Sequence, residues 1–138
     1  MTGNPESKEE LASRFARHSG DKGKFEKAVD AAFSGSVKKH TFLPSGRIVY
    51  TVVGSNADEF IDPDKPFCSC ESYFFSVLSG KAKYCYHLLG YKIADESGLV
   101  REVRFDDDEY DAFVSLLASD VLHSREITKN PITKTQAP

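Results

Sequence analysis

Apolar residues recur at helical spacing in the first part of the chain and at strand spacing further on. Leu11 and Phe15 stand four apart, and Ser7 precedes Glu10 by three, the spacing of a capping box. Together they predict a short helix within residues 7–18, broken by Ser19-Gly20-Asp21. Phe25, Val29, Ala32 and Phe33 follow at i, i+4, i+7 and i+8, a second helical stripe that ends at Ser34-Gly35-Ser36. The period then shortens. Val37–Leu43 and Arg47–Val53 are rich in β-formers, and Pro44-Ser45-Gly46 between them reads as a hairpin turn. After a turn at 54–58, a short strand is expected around 59–61. Asp62-Pro63-Asp64-Lys65-Pro66 is expected to close a three-stranded antiparallel meander, because proline cannot donate to a central ladder. From Asp107 a last helix is expected, with a stripe of Tyr110, Phe113, Val114, Leu117 and Val121 and with acids in its first turn, where they favour the helix dipole. The tail 124–138, poor in large apolar groups and carrying two prolines, reads as disordered.

The composition suits one soluble domain: 138 residues, 40% hydrophobic and 28% charged. A chain of this size has a modest core, so a metal staple would matter to folding. No apolar run approaches the roughly 20 residues that cross a bilayer, and the first ten residues lack a signal-peptide pattern. The net charge of −3 is unevenly spread. Residues 1–47 hold nine Lys/Arg against six Asp/Glu, whereas 106–123 hold six acids and no Lys or Arg. Overall acidity argues against tight, autonomous binding to a phosphate backbone, but not against a local basic patch.

Three cysteines leave one over from any disulfide pairing, which points to a reducing compartment and another use for the thiols. Their pattern is Cys68-x-Cys70, fourteen intervening residues, then Cys85-x-His87. Zinc takes four such ligands in a tetrahedron, with Zn–S near 2.3 Å and Zn–N near 2.0 Å. Residues two apart on an extended segment share a face, so Cys68 and Cys70 can point at one ion. Cys85 and His87 supply the other two from the start of a helix. Between the pairs, Tyr73/Val77 and Phe74/Leu78 at i, i+4 predict a helical turn ended by Ser79-Gly80. Four protein ligands leave no position for water, so one structural zinc ion is expected rather than a catalytic one.

Residues 67–93 resemble a SWIM zinc finger, whose signature is Cys-x-Cys, a variable gap and Cys-x-His in a ββα unit. Cys68-Ser69-Cys70, Phe74-Phe75-Ser76-Val77-Leu78 and Cys85-Tyr86-His87-Leu88-Leu89 are similar to the Shu-complex subgroup of SWIM proteins. The resemblance implies a partner of RecA-family recombinase paralogues in homologous recombination. The family usually carries proline directly after Cys-x-Cys, whereas this chain has Glu71.

Around the finger, Tyr73, Phe74, Phe75 and Tyr91 have two readings: packing against Leu88, Leu89 and Ile93, or an exposed patch for a protein partner. Lys81, Lys83 and Lys92, with Lys38, Lys39 and Arg47 from the hairpin, are either a solvated face or contacts to single-stranded DNA. His18, His40 and His123 have no neighbouring constellation. The sequence holds no phosphate-binding loop, nucleophile elbow or recognisable carboxylate pair. The expected fold is α+β: an N-terminal helical segment over 1–36, then a small antiparallel sheet, a ββα-type finger (core 67–97) and a C-terminal helix over 37–123. The expected function is a non-enzymatic zinc-finger adaptor that binds a RecA-family recombinase paralogue in DNA repair. The alternative is an autonomous single-stranded nucleic-acid-binding finger. Neither a membrane nor a small-molecule substrate is implied, and the expected location is cytoplasmic, or nuclear in a eukaryote.

Overall fold

The computed structural model describes residues 6–54 and 58–129, from His123 onward by backbone alone. Helix α1 (Lys8–Arg14) begins with the expected capping box: Glu10 N–H donates to Ser7 Oγ at 3.0 Å and Ser7 N–H to Glu10 Oε1 at 2.8 Å. At seven residues it is too short to persist alone. It is held by burial of Leu11 and of Phe15, its C-cap, and by an ion pair from Lys8 to Asp30 of the next helix. A 3₁₀ turn (Ala16–His18) leads to α2 (Lys22–Phe33), capped where Asp21 Oδ1 accepts from Lys24 N–H. Phe25, Ala28, Val29, Ala31 and Ala32 are buried on α2, while Phe33, the last residue of the expected stripe, faces solvent.

Strands β1 (Val37–Leu43) and β2 (Arg47–Val53) form the expected hairpin, with a cis peptide at Leu43–Pro44. β3 (Asp58–Asp62) pairs antiparallel with β2. The sheet then continues where closure was expected. Pro63 and Pro66 lie in the turn between strands, leaving β4 (Phe67–Cys68) free to pair with β3 as a two-residue edge. After α3 (Tyr86–Ser97), β5 (Arg101–Asp106) pairs parallel with β1, so the sheet is mixed and five-stranded, in the order β4-β3-β2-β1-β5. α4 (Tyr110–Lys129), preceded by a 3₁₀ turn, runs past His123 into the expected tail. Residues 55–57 of the expected turn and 130–138 of the tail lie outside the described residues.

Alternation along the strands gives the sheet two faces. Val37, Val52, Ile61 and Cys68 share a buried cluster with α1, α2 and α3. His40, Phe42 and Val49 face the other way, where Phe42 meets Tyr110 edge-on at 5.0 Å and Phe113 at 5.4 Å. His40 is buried there, its Nδ1 3.1 Å from the Val49 carbonyl oxygen, and burial holds its imidazole below the usual range. The fold is therefore α+β in three layers, with helices on both faces of one sheet. Among the described residues, no helix is long and apolar enough to cross a membrane.

The contact that places α3 is its approach to α2. Gly90 of α3 lies against Ala28 and Ala31, and a Cβ built on it would stand 3.4 Å from both the Ala28 carbonyl oxygen and the Ala31 methyl. Gly98, with φ +70°, ends α3 in the left-handed conformation and lets Leu99 N–H return to the Ala94 carbonyl at 2.8 Å. Replacing Gly90 with valine should push the two helices apart, costing about 2 kcal/mol. We expect a lower chemical-denaturation midpoint for Gly90→Val, and an unchanged midpoint would contradict this packing.

Candidate metal centre

The two halves of the site come from opposite sides of the core. Cys68 ends β4, and Cys70 follows in a tight bend. Ser69 between them fixes that bend to β3: its N–H donates to the Phe60 carbonyl at 2.9 Å, and its hydroxyl accepts from Phe60 N–H at 2.9 Å. The same hydroxyl donates to Glu59 Oε1 at 2.8 Å. Cys85 is the N-cap of α3, and His87 lies in its first turn. Leu88, Leu89 and Ile93 are buried on α3, and burial of side chains this size contributes roughly 1.5–3 kcal/mol each. The core thus sets where the helix presents its two ligands.

All four side chains are buried, and their ligand atoms lie within 4.8 Å of one another. Bonds near 2.3 Å in a tetrahedron put ligand atoms roughly 3.7 Å apart, so a small contraction closes the cluster on zinc. Each sulfur also accepts a backbone N–H: Cys68 from Cys70 at 3.5 Å, Cys70 from Tyr73 at 3.3 Å, and Cys85 from Leu88 at 3.4 Å. Such donors favour thiolates, and for Cys85 the helix N-terminus adds to the effect.

Without a cation the three sulfurs compete for charge. Thiol hydrogen bonds from Cys68 and Cys70 pull Cys85 far below the usual thiol range, and the corresponding bonds drive Cys68 well above it. At Cys70 the hydrogen bond with Cys68 lowers the value, but Cys85 and burial outweigh it and raise the thiol to about 12. A divalent cation lets all three ionise together. His87 Nδ1 is buried with no hydrogen-bond partner among the described residues, the kind of orphaned nitrogen that metal coordination or its second shell accounts for. The donor set, three sulfurs and an imidazole, suits one structural zinc ion and leaves no fourth site for water.

Between the ligand pairs the chain forms a widened helical turn, Tyr73–Val77, instead of the expected i, i+4 turn. Tyr73 N–H is taken by the Cys70 sulfur, and Leu78 N–H reaches the Tyr73 carbonyl at 3.0 Å, closing an i, i+5 ring. Glu71, in the position where proline is usual, sits in the helical lead to this turn. Tyr73 is buried against Phe67, with ring centroids 5.2 Å apart. Phe74 is partly exposed, and Phe75 and Leu78 project into solvent at 66% and 62% exposure. Tyr91 is half-buried on α3 and packs edge-on against Tyr50, 5.4 Å away.

The six basic candidates do not form one patch. Lys38 and Lys39 alternate to opposite faces of β1, and Arg47 stacks on Tyr110 at 3.9 Å. Lys92 pairs with Glu96 at 3.0 Å. Lys81 and Lys83 line a cleft with Arg17 and Lys24, two residues that sequence reasoning passed over. Those two come from the N-terminal helical segment, so nothing local in the sequence points to them.

No protein-family model matches the chain, and no solved structure matches it. A Dictyostelium discoideum protein, zinc finger SWIM domain-containing protein 7 homolog, is 33% identical over 87 residues, covering 60% of this chain and 54% of that protein. The chain thus spans about half the length of that relative.

The purified chain should carry about one equivalent of zinc by elemental analysis. Cys70→Ser or His87→Ala should release it and unfold the finger, seen as lost helical circular dichroism, because metal binding energy is folding energy here. A fully folded chain free of metal would contradict the assignment. Cys68, Cys70, Cys85 and His87 form a cluster compatible with the ligand set of a SWIM zinc finger, in a chain similar to zinc finger SWIM domain-containing protein 7 homolog.

Proposed function

We propose that the chain is a non-enzymatic adaptor whose zinc finger docks on a RecA-family recombinase paralogue and supports homologous recombination and DNA repair. The observation that carries this reading is the widened turn between the ligand pairs. It is anchored at both ends by zinc ligands, yet it turns Phe75 and Leu78 outward, with Phe74 partly exposed beside them. A monomer gains nothing from exposing large apolar groups on a rigid element, whereas a binding surface does. Zinc limits the ordering that such a surface must undergo on binding, which favours affinity. The closed ligand set argues for a metal that shapes this surface rather than one that activates water. The class of partner comes from the resemblance of residues 67–93 to the Shu-complex subgroup. The site of action would be the nucleus in a eukaryote and the cytoplasm otherwise.

Co-purification with candidate RecA-family recombinase paralogues tests the reading. The zinc-loaded chain should capture one of them, and a Phe75→Ser, Leu78→Ser double variant should lose capture at least about tenfold while keeping its zinc, as expected when buried aromatic and aliphatic anchors are truncated. Equal capture by the double variant, or no capture of any such paralogue, would contradict it.

A further inference from the structure

The finger has a second accessible surface, away from the exposed phenylalanine. Arg17 of the first 3₁₀ turn, Lys24 of α2, and Lys81 and Lys83 of the loop before Cys85 line one cleft of about 550 Å³. Among the described residues Asp21 is the one carboxylate in its lining, and its Oδ1 caps α2. Lys81 and Lys83 are exposed and make no ion pair among the described residues. Lys24 Nζ donates to the Tyr84 carbonyl at 2.8 Å, which holds its charge at the cleft wall. Arg17 lies 3.8 Å from Glu96, at the rim, in a pair that is largely exposed. Ser72 and Ser76 of the widened turn add hydroxyls.

Two rings complete the wall. Tyr84 is half-buried with Lys83 Nζ 5.9 Å from its centroid, and His18 meets it edge-on at 6.2 Å. His18 Nε2 is buried with no hydrogen-bond partner among the described residues. Burial first, and then Arg17, Lys92 and Lys83, hold this imidazole below its usual range despite Glu96, and Arg17 and Lys83 are two of the four cations that line the cleft. The chain as a whole carries −3, so this is a local concentration against the general trend.

We propose that this cleft binds the phosphodiester backbone of a single nucleic-acid strand, with Arg17, Lys24, Lys81 and Lys83 meeting phosphates and Tyr84 offering its ring to a base. Cations that follow a backbone beside an aromatic ring suit a single strand, whose bases are free to stack. A duplex keeps its bases paired and meets a small recess only through its outer phosphates. An acidic peptide would use the cations but not the ring. The proposal does not rest on the adaptor reading, since partner capture through Phe75 and Leu78 can persist without it.

The test is fluorescence anisotropy of labelled oligothymidylate with the full, zinc-loaded chain across a salt series. Binding is expected at low salt, with affinity falling at a log–log slope of about −2 to −3 for three or four phosphate contacts. Lys81→Gln with Lys83→Gln should weaken binding and flatten the slope by roughly 1.4. Lys65→Gln, in the β3–β4 turn, should leave both unchanged. Retained zinc shows that each variant is folded, and Arg17→Gln provides an independent probe from another element. No binding at low salt, an unchanged slope in the Lys81/Lys83 variant, or equal binding of duplex or of polyglutamate would overturn the proposal.

Discussion

Three sulfurs and an imidazole, all buried and within 4.8 Å of one another, can carry thiolate charge together only around a cation. That constraint governs the middle of the chain. Burying one thiolate without compensation is costly, and three would repel each other strongly in a dry pocket. Zinc converts the same crowding into cohesion. It also joins what the chain otherwise leaves separate: the two-residue edge strand that carries Cys68, and the helix that presents Cys85 and His87. An edge strand of two residues has too few ladder bonds to hold its own position. Its persistence depends on the metal and on Ser69, which ties the bend to β3.

The same constraint reaches outward through α3. The helix can present its ligands only if it lies close to α2, and Gly90 against Ala28 and Ala31 provides that approach. Zinc, the α2–α3 contact and the sheet therefore support one another. The widened turn from Tyr73 to Val77 starts at the metal site as well. The Cys70 sulfur accepts the Tyr73 N–H, one of the donors a helix start leaves open, and Leu78 N–H closes an i, i+5 ring on the Tyr73 carbonyl. A rigid turn with its apolar residues outside and serines toward the basic cleft is the result. Both proposed surfaces, one apolar and one cationic, are thus borders of one zinc-held unit.

Much of this was legible before any coordinates. The four ligands were, because the chemistry of zinc restricts residue type and the Cys-x-Cys and Cys-x-His spacings restrict geometry. Strands β1 and β2 were, because the apolar period shortens and Pro44-Ser45-Gly46 marks their turn. β4 was hidden by Pro63 and Pro66, which suggested an end and instead form a turn. β5 carries alternating Val103 and Phe105, but Arg101, Glu102 and Arg104 dilute its hydrophobicity, and its parallel partner lies about sixty residues earlier. Parallel pairing leaves no local turn signal. Arg17 and Lys24 were invisible for a related reason: their meeting with Lys81 and Lys83 is made by tertiary packing alone. The reading of Tyr73, Phe74 and Phe75 divided by residue, with Tyr73 inside and Phe75 outside, which a helical period of 3.6 does not foretell for a turn of different pitch.

The central claim is a closed coordination sphere made entirely by the chain. X-ray absorption at the zinc edge of the purified protein reads that sphere directly. The account predicts three sulfur neighbours near 2.3 Å and one nitrogen near 2.0 Å. A first shell with fewer than three sulfurs, or with a water oxygen completing the tetrahedron, would contradict it.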